Sequence, residues 1–212
     1  MPWKNGQGTT HEIALCTDPD DGPSGTFVWR LSIAAVDLAS PFSRFPHIDR
    51  TILLLSGAGM VLDSGPHGRH VLAQPFAPYA FAGDWTTDCT LIDGPCRDFN
   101  VMVDRRRATA CVTVLPLDAE RGATWPVPVC DAWALFALDA DLRIAASGDP
   151  ADGTSSDTAP WPLPVGATLL GQDDDGVACP RALHVRSAGG TPHAHALAIT
   201  FARHVPAASD PA

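Results

Sequence analysis

Residues 2–13, PWKNGQGTTHEI, form the densest polar motif of the chain, gathering Lys4, Asn5, Thr9, Thr10, His11 and Glu12 around two glycines. Lys4 is the single lysine beside thirteen arginines. In a chain that otherwise uses arginine for its cations, a compact ammonium suits a carboxylate or phosphate held in a tight pocket. A solvated lysine near the terminus is the plain alternative. Glu12, one of two glutamates, is weaker evidence of the same kind.

Two alternating runs supply further polar groups. In 27–36, Phe27, Trp29, Leu31, Ile33 and Ala35 share one face of a strand, and Val28, Arg30, Ser32, Ala34 and Val36 share the other. In 97–104 the same period puts Asp98, Asn100, Met102 and Asp104 opposite Phe99, Val101 and Val103. If the two strands share a barrel, Arg30, Ser32, Asp98 and Asn100 line one pocket; a solvated face with an Arg-Asp pair is the alternative. The segment 41–50, PFSRFPHIDR, sets Arg44, Asp49 and Arg50 beside Phe42 and Phe45, a mixed surface suited to a small organic acid or a loop closing a barrel end. Phe81-Ala82-Gly83-Asp84 reads as a turn in which Asp84 bonds nearby backbone amides.

His193 and His195, at i and i+2, are expected on one strand face. No glutamate follows at short spacing, so a metal there is the minor reading and requires ligands from elsewhere in the fold. No Gly-x-Ser-x-Gly elbow, phosphate-cradling glycine loop or His-Glu-x-x-His occurs.

The elements that must position these residues are strands. Twenty prolines and eighteen glycines punctuate short apolar or alternating runs, without a sustained helical period. Strands are predicted at 11–16, 27–36, 50–55, 59–63, 70–73, 89–92, 97–103 and 109–115, then at 131–139, 142–146, 168–170, 181–185 and 194–201. Ser56-Gly57-Ala58-Gly59 reads as a hairpin connection between antiparallel neighbours. This pattern predicts an all-β fold of two stacked β-barrels. Mobile surface loops are expected at 17–25, 147–160 and 171–176, and a frayed tail at 205–212.

Composition excludes several classes. With 212 residues, 45% hydrophobic and 18% charged, the chain is an ordinary folded protein. At this size it buries roughly 70% of its unfolded surface and requires neither disulfides nor a metal to fold. The six cysteines, at 16, 89, 96, 111, 130 and 179, form no Cys-x-x-Cys pair and are read as reduced packing residues of a cytosolic protein. No apolar stretch is long enough to cross a membrane, and the first fifteen residues lack a signal-peptide layout. Fourteen basic against twenty-four acidic side chains give a net charge of −10, which repels a phosphate backbone and disfavours nucleic acid. The run Arg105, Arg106, Arg107 is accordingly read as a solvated turn or an oligomer contact.

Taken in order, PWKNGQGTT, WRLSIAAV, PFSRFPHIDR, RTILLLSGAGMVL, FAGD and GPCRDFNVM, spanning residues 2–102, resemble the HutD/Ves family. The resemblance implies a bicupin of two stacked antiparallel jelly-roll barrels in one compact unit. Their expected spans are 1–107 and 108–204. It also implies a bacterial cytoplasmic protein that modulates histidine utilisation by binding a carboxylate-bearing intermediate, urocanate or a formylated glutamate. No catalytic activity and no cofactor come with it. Lys4, Asn5, Thr9, Arg30, Ser32, Arg44, Asp49, Arg50, Asp98 and Asn100 match family motif positions and become ligand-binding candidates.

Three positions depart from the family pattern: Gln7 and His47 replace the usual glycine, and His11 replaces a common arginine. His47 bears on loop conformation, since glycine there can use positive φ. Relatives usually carry a short strand upstream of the first motif, so either the start at Met1 is assigned late or that strand is missing, and the first barrel's edge stays open. The expected function is a non-enzymatic small-molecule-binding module, with a homodimer compatible. Two alternatives stay open: a cupin enzyme, metal-dependent through His193 and His195, and a module that regulates a protein partner.

Overall fold

A computed structural model describes residues 1, 3, 6–18, 26–147, 159–172 and 180–204. Its first nine strands are β1 (Gly8–Thr17), β2 (Phe27–Val36), β3 (Ser40–Pro41), β4 (Ile48–Ser56), β5 (Met60–Asp63), β6 (Arg69–Leu72), β7 (Tyr79–Ala82), β8 (Asp88–Leu91) and β9 (Cys96–Asp104). Eight more follow: β10 (Ala108–Leu117), β11 (Ala123–Pro126), β12 (Ala132–Ala137), β13 (Leu142–Ser147), β14 (Trp161–Leu163), β15 (Thr168–Gln172), β16 (Ala182–Ser187) and β17 (Ala194–Arg203).

These strands form four antiparallel sheets. A five-stranded sheet (β1-β2-β9-β4-β7) faces a four-stranded one (β3-β8-β5-β6), and a second pair, β10-β17-β12-β15 and β11-β16-β13-β14, uses only later strands. Each pair is a two-sheet sandwich with its own apolar filling. Ile52, Leu54, Met60 and Leu62 fill the first, and Leu135, Leu142, Ile144 and Leu183 fill the second. The expectation of jelly-roll halves thus takes the form of facing sheets rather than barrels closed by continuous hydrogen bonding.

A third core joins the halves. Trp29, Leu31, Leu53 and Phe99 of the five-stranded sheet pack against Phe136, Leu197, Ile199 and Phe201 of the β12-β17 sheet. Ring stacking of Trp29 on Phe201 (4.4 Å) and a tilted Phe99–Phe136 pair (4.8 Å) cross this junction. Sheets covered on both faces need apolar residues on both. β12, AWALFA, is buried at every position.

Each of the thirteen predicted strands has a counterpart. The four that were not predicted, β3, β7, β11 and β14, are all sheet edges. Three of them contain proline (Pro41, Pro126 and Pro162), which cannot donate to a ladder and is tolerated where one side is unpaired.

The hairpin expected at residues 56–59 is corrected. β4 pairs with β7 and β9, whereas β5 pairs with β6 and β8, so this segment turns a corner between facing sheets. Gly57 (φ 91°) and Gly59 (φ 97°) make the corner, and a Cβ on Gly59 would come within 2.1 Å of the Leu72 carbonyl oxygen. The cysteine expectation needs one correction too: Cys89, Cys96 and Cys130 are buried, but Cys111 is exposed. The loops expected at 17–25, 147–160 and 171–176 fall largely outside the described residues, as do Cys179 and the tail 205–212.

Candidate functional site

Strand order decides what the first sandwich encloses. β9 lies between β2 and β4, and the register places Met102 between Arg30 and Arg50, Asn100 between Ser32 and Ile52, and Asp98 between Ala34 and Leu54. Directly opposed residues share a face. All three rows therefore point away from the central core and into the first sandwich, whose mouth is a cavity of about 570 Å³. Arg30, Ser32, Asp98 and Asn100 line it together with Arg50. Phe42 and Phe45 of the segment before β4, and Thr10 of β1, complete its wall.

Arg50 is buried at 7% exposure. Its guanidinium carbon lies 5.0 Å from the Phe42 and Phe81 ring centroids and 5.8 Å from Phe45, an aromatic cage that stabilises the cation through the ring quadrupoles. Its Nη2 donates to Asn100 Oδ1 at 2.6 Å, and Asn100 Nδ2 donates to Asp98 Oδ1. Because a guanidinium only donates, the amide must present its oxygen to Arg50 and its nitrogen to Asp98. Within this relay two buried atoms have no hydrogen-bond partner among the described residues, Arg50 Nε and Asp98 Oδ2. Each such group costs about 1–3 kcal/mol unless something meets it.

Burial pushes the Asp98 carboxyl up to about 7, against the pull of Arg50. Burial also lowers Arg50 to about 10, with Asp98 opposing and Arg30 adding to the fall. Arg50 remains a cation at neutral pH. Arg30 sits nearer the mouth, its Nε donating to Glu12 Oε2 at 2.9 Å. Among the described residues its terminal nitrogens make no hydrogen bond. The wall divides about evenly between apolar side chains and polar or charged ones, a composition suited to a small polar molecule.

The ten candidates separate cleanly. Arg30, Ser32, Arg50, Asp98 and Asn100 converge on the cavity. Lys4 and Asn5 lie outside the described residues. Thr9 is exposed, and its neighbour Thr10 lines the cavity instead, fixed by a 2.8 Å bond from Trp3 Nε1. The alternation of β1, which pairs Thr10 with Ala34, is the signal that selects Thr10.

Arg44 and Asp49 are tied elsewhere. Arg44 Nε donates to the Asp84 carbonyl at 3.0 Å. Asp49 borders a smaller recess of about 380 Å³ on the other face of β4 and accepts from Arg105 at 2.7 Å. Arg105 also donates to Asp84 Oδ2 at 2.7 Å, and Asp84 Oδ1 accepts the His47 amide at 3.0 Å. Asp84 thus bonds the His47 amide 37 residues away in addition to its own backbone amide, and latches the segment carrying Phe42 and Phe45. The arginine run is a structural turn, with Arg106 and Arg107 paired to the fully buried Asp104.

The expectation for His193 and His195 is corrected as well. His193 lies before β17, in a turn with φ 60°, so the two do not share a strand face. His195 Nδ1 meets Asp139 Oδ2 at 2.8 Å. No group of three or more metal-ligating side chains occurs among the described residues, and none of their helices is long and apolar enough to cross a membrane.

Comparison with known proteins agrees with this architecture. The chain is 28% identical to HutD from Pseudomonas fluorescens SBW25 (formate condition), over 97% of this chain and 94% of that one, with a TM-score of 0.73. A conserved protein of unknown function from Pseudomonas aeruginosa PAO1 is 29% identical over the same shares, with a TM-score of 0.75. A cupin 2 conserved barrel protein from Leptotrichia buccalis shares the fold at 9% identity and a TM-score of 0.55, over 94% of this chain and 91% of its own. An uncharacterized 21.2 kDa protein in the hutC 3' region of Pseudomonas putida is 42% identical over 111 residues, 52% of this chain and 56% of that relative. The match therefore spans about half the length of that curated relative. Residues 1–178 match the HutD family, and the chain, with its cupin-like fold, belongs to that family.

Proposed function

We propose that the cavity of the first sandwich binds a small carboxylate-bearing intermediate of histidine utilisation, urocanate or a formylated glutamate, and that the protein modulates the pathway by binding it. The observation that carries this reading is the pair Arg30 and Arg50, flanking Met102 on one inward face of a cavity of about 570 Å³. Two cations meet a carboxylate with charge-assisted bonds, and Ser32 and Asn100 supply directional ones. Lys4 and Asn5 belong to the same proposed site by their motif. The free cysteines among the described residues fit a reducing compartment, and the proposed place of action is the cytoplasm.

The test is a thermal-shift panel of histidine, urocanate, formiminoglutamate, formylglutamate and glutamate, each with and without divalent metals. A ligand at about 100 times its Kd adds roughly 2.7 kcal/mol, a rise on the order of 5–10 °C for a chain of this size. A selective, metal-independent rise with one acid is the expected result. No shift with any acid overturns the reading, and a shift only with metal moves the weight to a metal-dependent cupin enzyme.

A further inference from the structure

We propose that Asp98 is the specificity-determining residue of this cavity, and that it selects acids carrying an N–H group over acids of the same shape without one. This inference rests on the carboxylate-binding reading and goes one step further, to the second functional group of the ligand.

The argument starts from the relay. Had Arg50 and Asp98 met directly, each would have consumed the other's hydrogen-bonding capacity. Asn100 stands between them and occupies Arg50 Nη2 and Asp98 Oδ1. What remains is Asp98 Oδ2, a fully buried acceptor that has no partner among the described residues, on a residue that lines the cavity. The neighbouring row is built to leave room there, since Asp98 stands opposite the small Ala34 and Ala34 opposite Thr10. A carboxylate acceptor is complementary to an N–H donor and repels a second carboxylate. The cations and the acid therefore make a two-part recognition surface, with anion at the Arg30 and Arg50 end and N–H donor at the Asp98 end. Amide, imidazole and amino acids fit this surface; plain dicarboxylates satisfy only the first part.

Matched probes test this by calorimetry at about pH 8, where Asp98 is ionised. The pairs are urocanate against 3-(3-furyl)acrylate, and N-formylglutamate against its ester analogue 2-(formyloxy)glutarate, each partner carrying oxygen where the first carries N–H. The wild-type protein is expected to favour the N–H member of the pair it binds by about tenfold to a hundredfold, the worth of a hydrogen bond to a charged group. Asp98→Asn is expected to abolish or reverse that preference. Asn100 still donates to the oxygen of the replacement amide, which turns its NH2 toward the ligand, where it opposes another N–H. Equal wild-type affinities within a pair overturn the inference while leaving the carboxylate reading intact. A preference that survives Asp98→Asn with the fold retained does the same. If neither member of either pair binds, the carboxylate reading itself fails. Should the variant not fold, the wild-type comparison alone decides.

Discussion

Arg50 and Asp98, opposite charges buried on adjacent strands, are joined through the Asn100 side chain, whose oxygen accepts from the first and whose nitrogen donates to the second. The arrangement keeps a cation and an acid in one cavity without either neutralising the other's hydrogen-bonding groups. Direct pairing would suit a structural role; a relayed pair suits recognition.

Arg50→Met replaces the guanidinium by a side chain that can fill the cage of Phe42, Phe45 and Phe81. Loss of the cation should weaken binding of the carboxylate ligand by about 2–5 kcal/mol, thirtyfold or more, with near-native circular dichroism. Unchanged affinity by calorimetry removes Arg50 from the site.

Lys4→Met should weaken the same binding while leaving the thermal midpoint of the free protein in place, because residue 4 belongs to the ligand-contacting motif in this reading. An unaltered Kd assigns Lys4 to the solvated surface.

The pH dependence of stability follows from Asp98. Its carboxyl rises from 3.8 to about 7 on folding, chiefly through burial. An acid whose pKa is raised in the folded state contributes fully below its unfolded value, and that contribution is lost as pH climbs through the folded one. The charged and titratable groups around Asp98 are Arg50 on β4, Arg30 on β2, Cys89 on β8 and Cys96 on β9. Burial holds the two thiols at about 12 and 11, so they stay neutral in this window. The free protein should therefore lose stability between about pH 4 and pH 7, read as urea midpoints, and Asp98→Asn should flatten that slope. Asp84 acts in a separate window. The His47 amide and then Arg105 hold it near 2, so its contribution is complete above about pH 4 and fades toward pH 2. A wild-type profile flat from pH 4 to 7 contradicts the assignment to Asp98.

His47 adopts φ 66°, the left-handed region that glycine occupies without steric cost. His47→Gly should stabilise the protein by about 1 kcal/mol, less the extra entropy of the unfolded chain, a rise of about 2–4 °C. Differential scanning calorimetry checks the sign; a lower midpoint means the imidazole contributes contacts that outweigh the strain.

Gly59→Ala should do the opposite. Positive φ and a Leu72 carbonyl oxygen 2.1 Å from the added Cβ leave no relaxed position, so a loss of about 2 kcal/mol or more is expected in urea unfolding. A neutral result means that the corner between the sheets can shift.

Much of the site is legible from local pattern. The two-residue period of strands places Arg30 with Ser32 and Asp98 with Asn100, and opposite Leu31 and Phe99, whatever the strands pair with. The choice of Thr10 over Thr9 is made by the register of β1, which sets Thr10 opposite Ala34, where the motif alone selected Thr9. Arg44 and Asp49 show the limit of motif reasoning. They stand in the same short segment as Arg50, yet one is held by the Asp84 backbone and the other by Arg105.

By itself, the sequence determines a strand-built chain and which side chains share a face, because these depend on neighbours one or two residues apart. Tertiary structure decides that β9 runs between β2 and β4, that residues 57–59 turn a corner instead of closing a hairpin, and that Phe81 arrives beside Arg50 from a separate edge strand. Strand order and register are set by burial of three apolar layers at once, a contest between distant segments that no local spacing records. The Arg50–Asn100–Asp98 relay belongs to this second kind: Arg50 and Asn100 are 50 residues apart, and only the pairing of β4 with β9 brings them into adjacent rows.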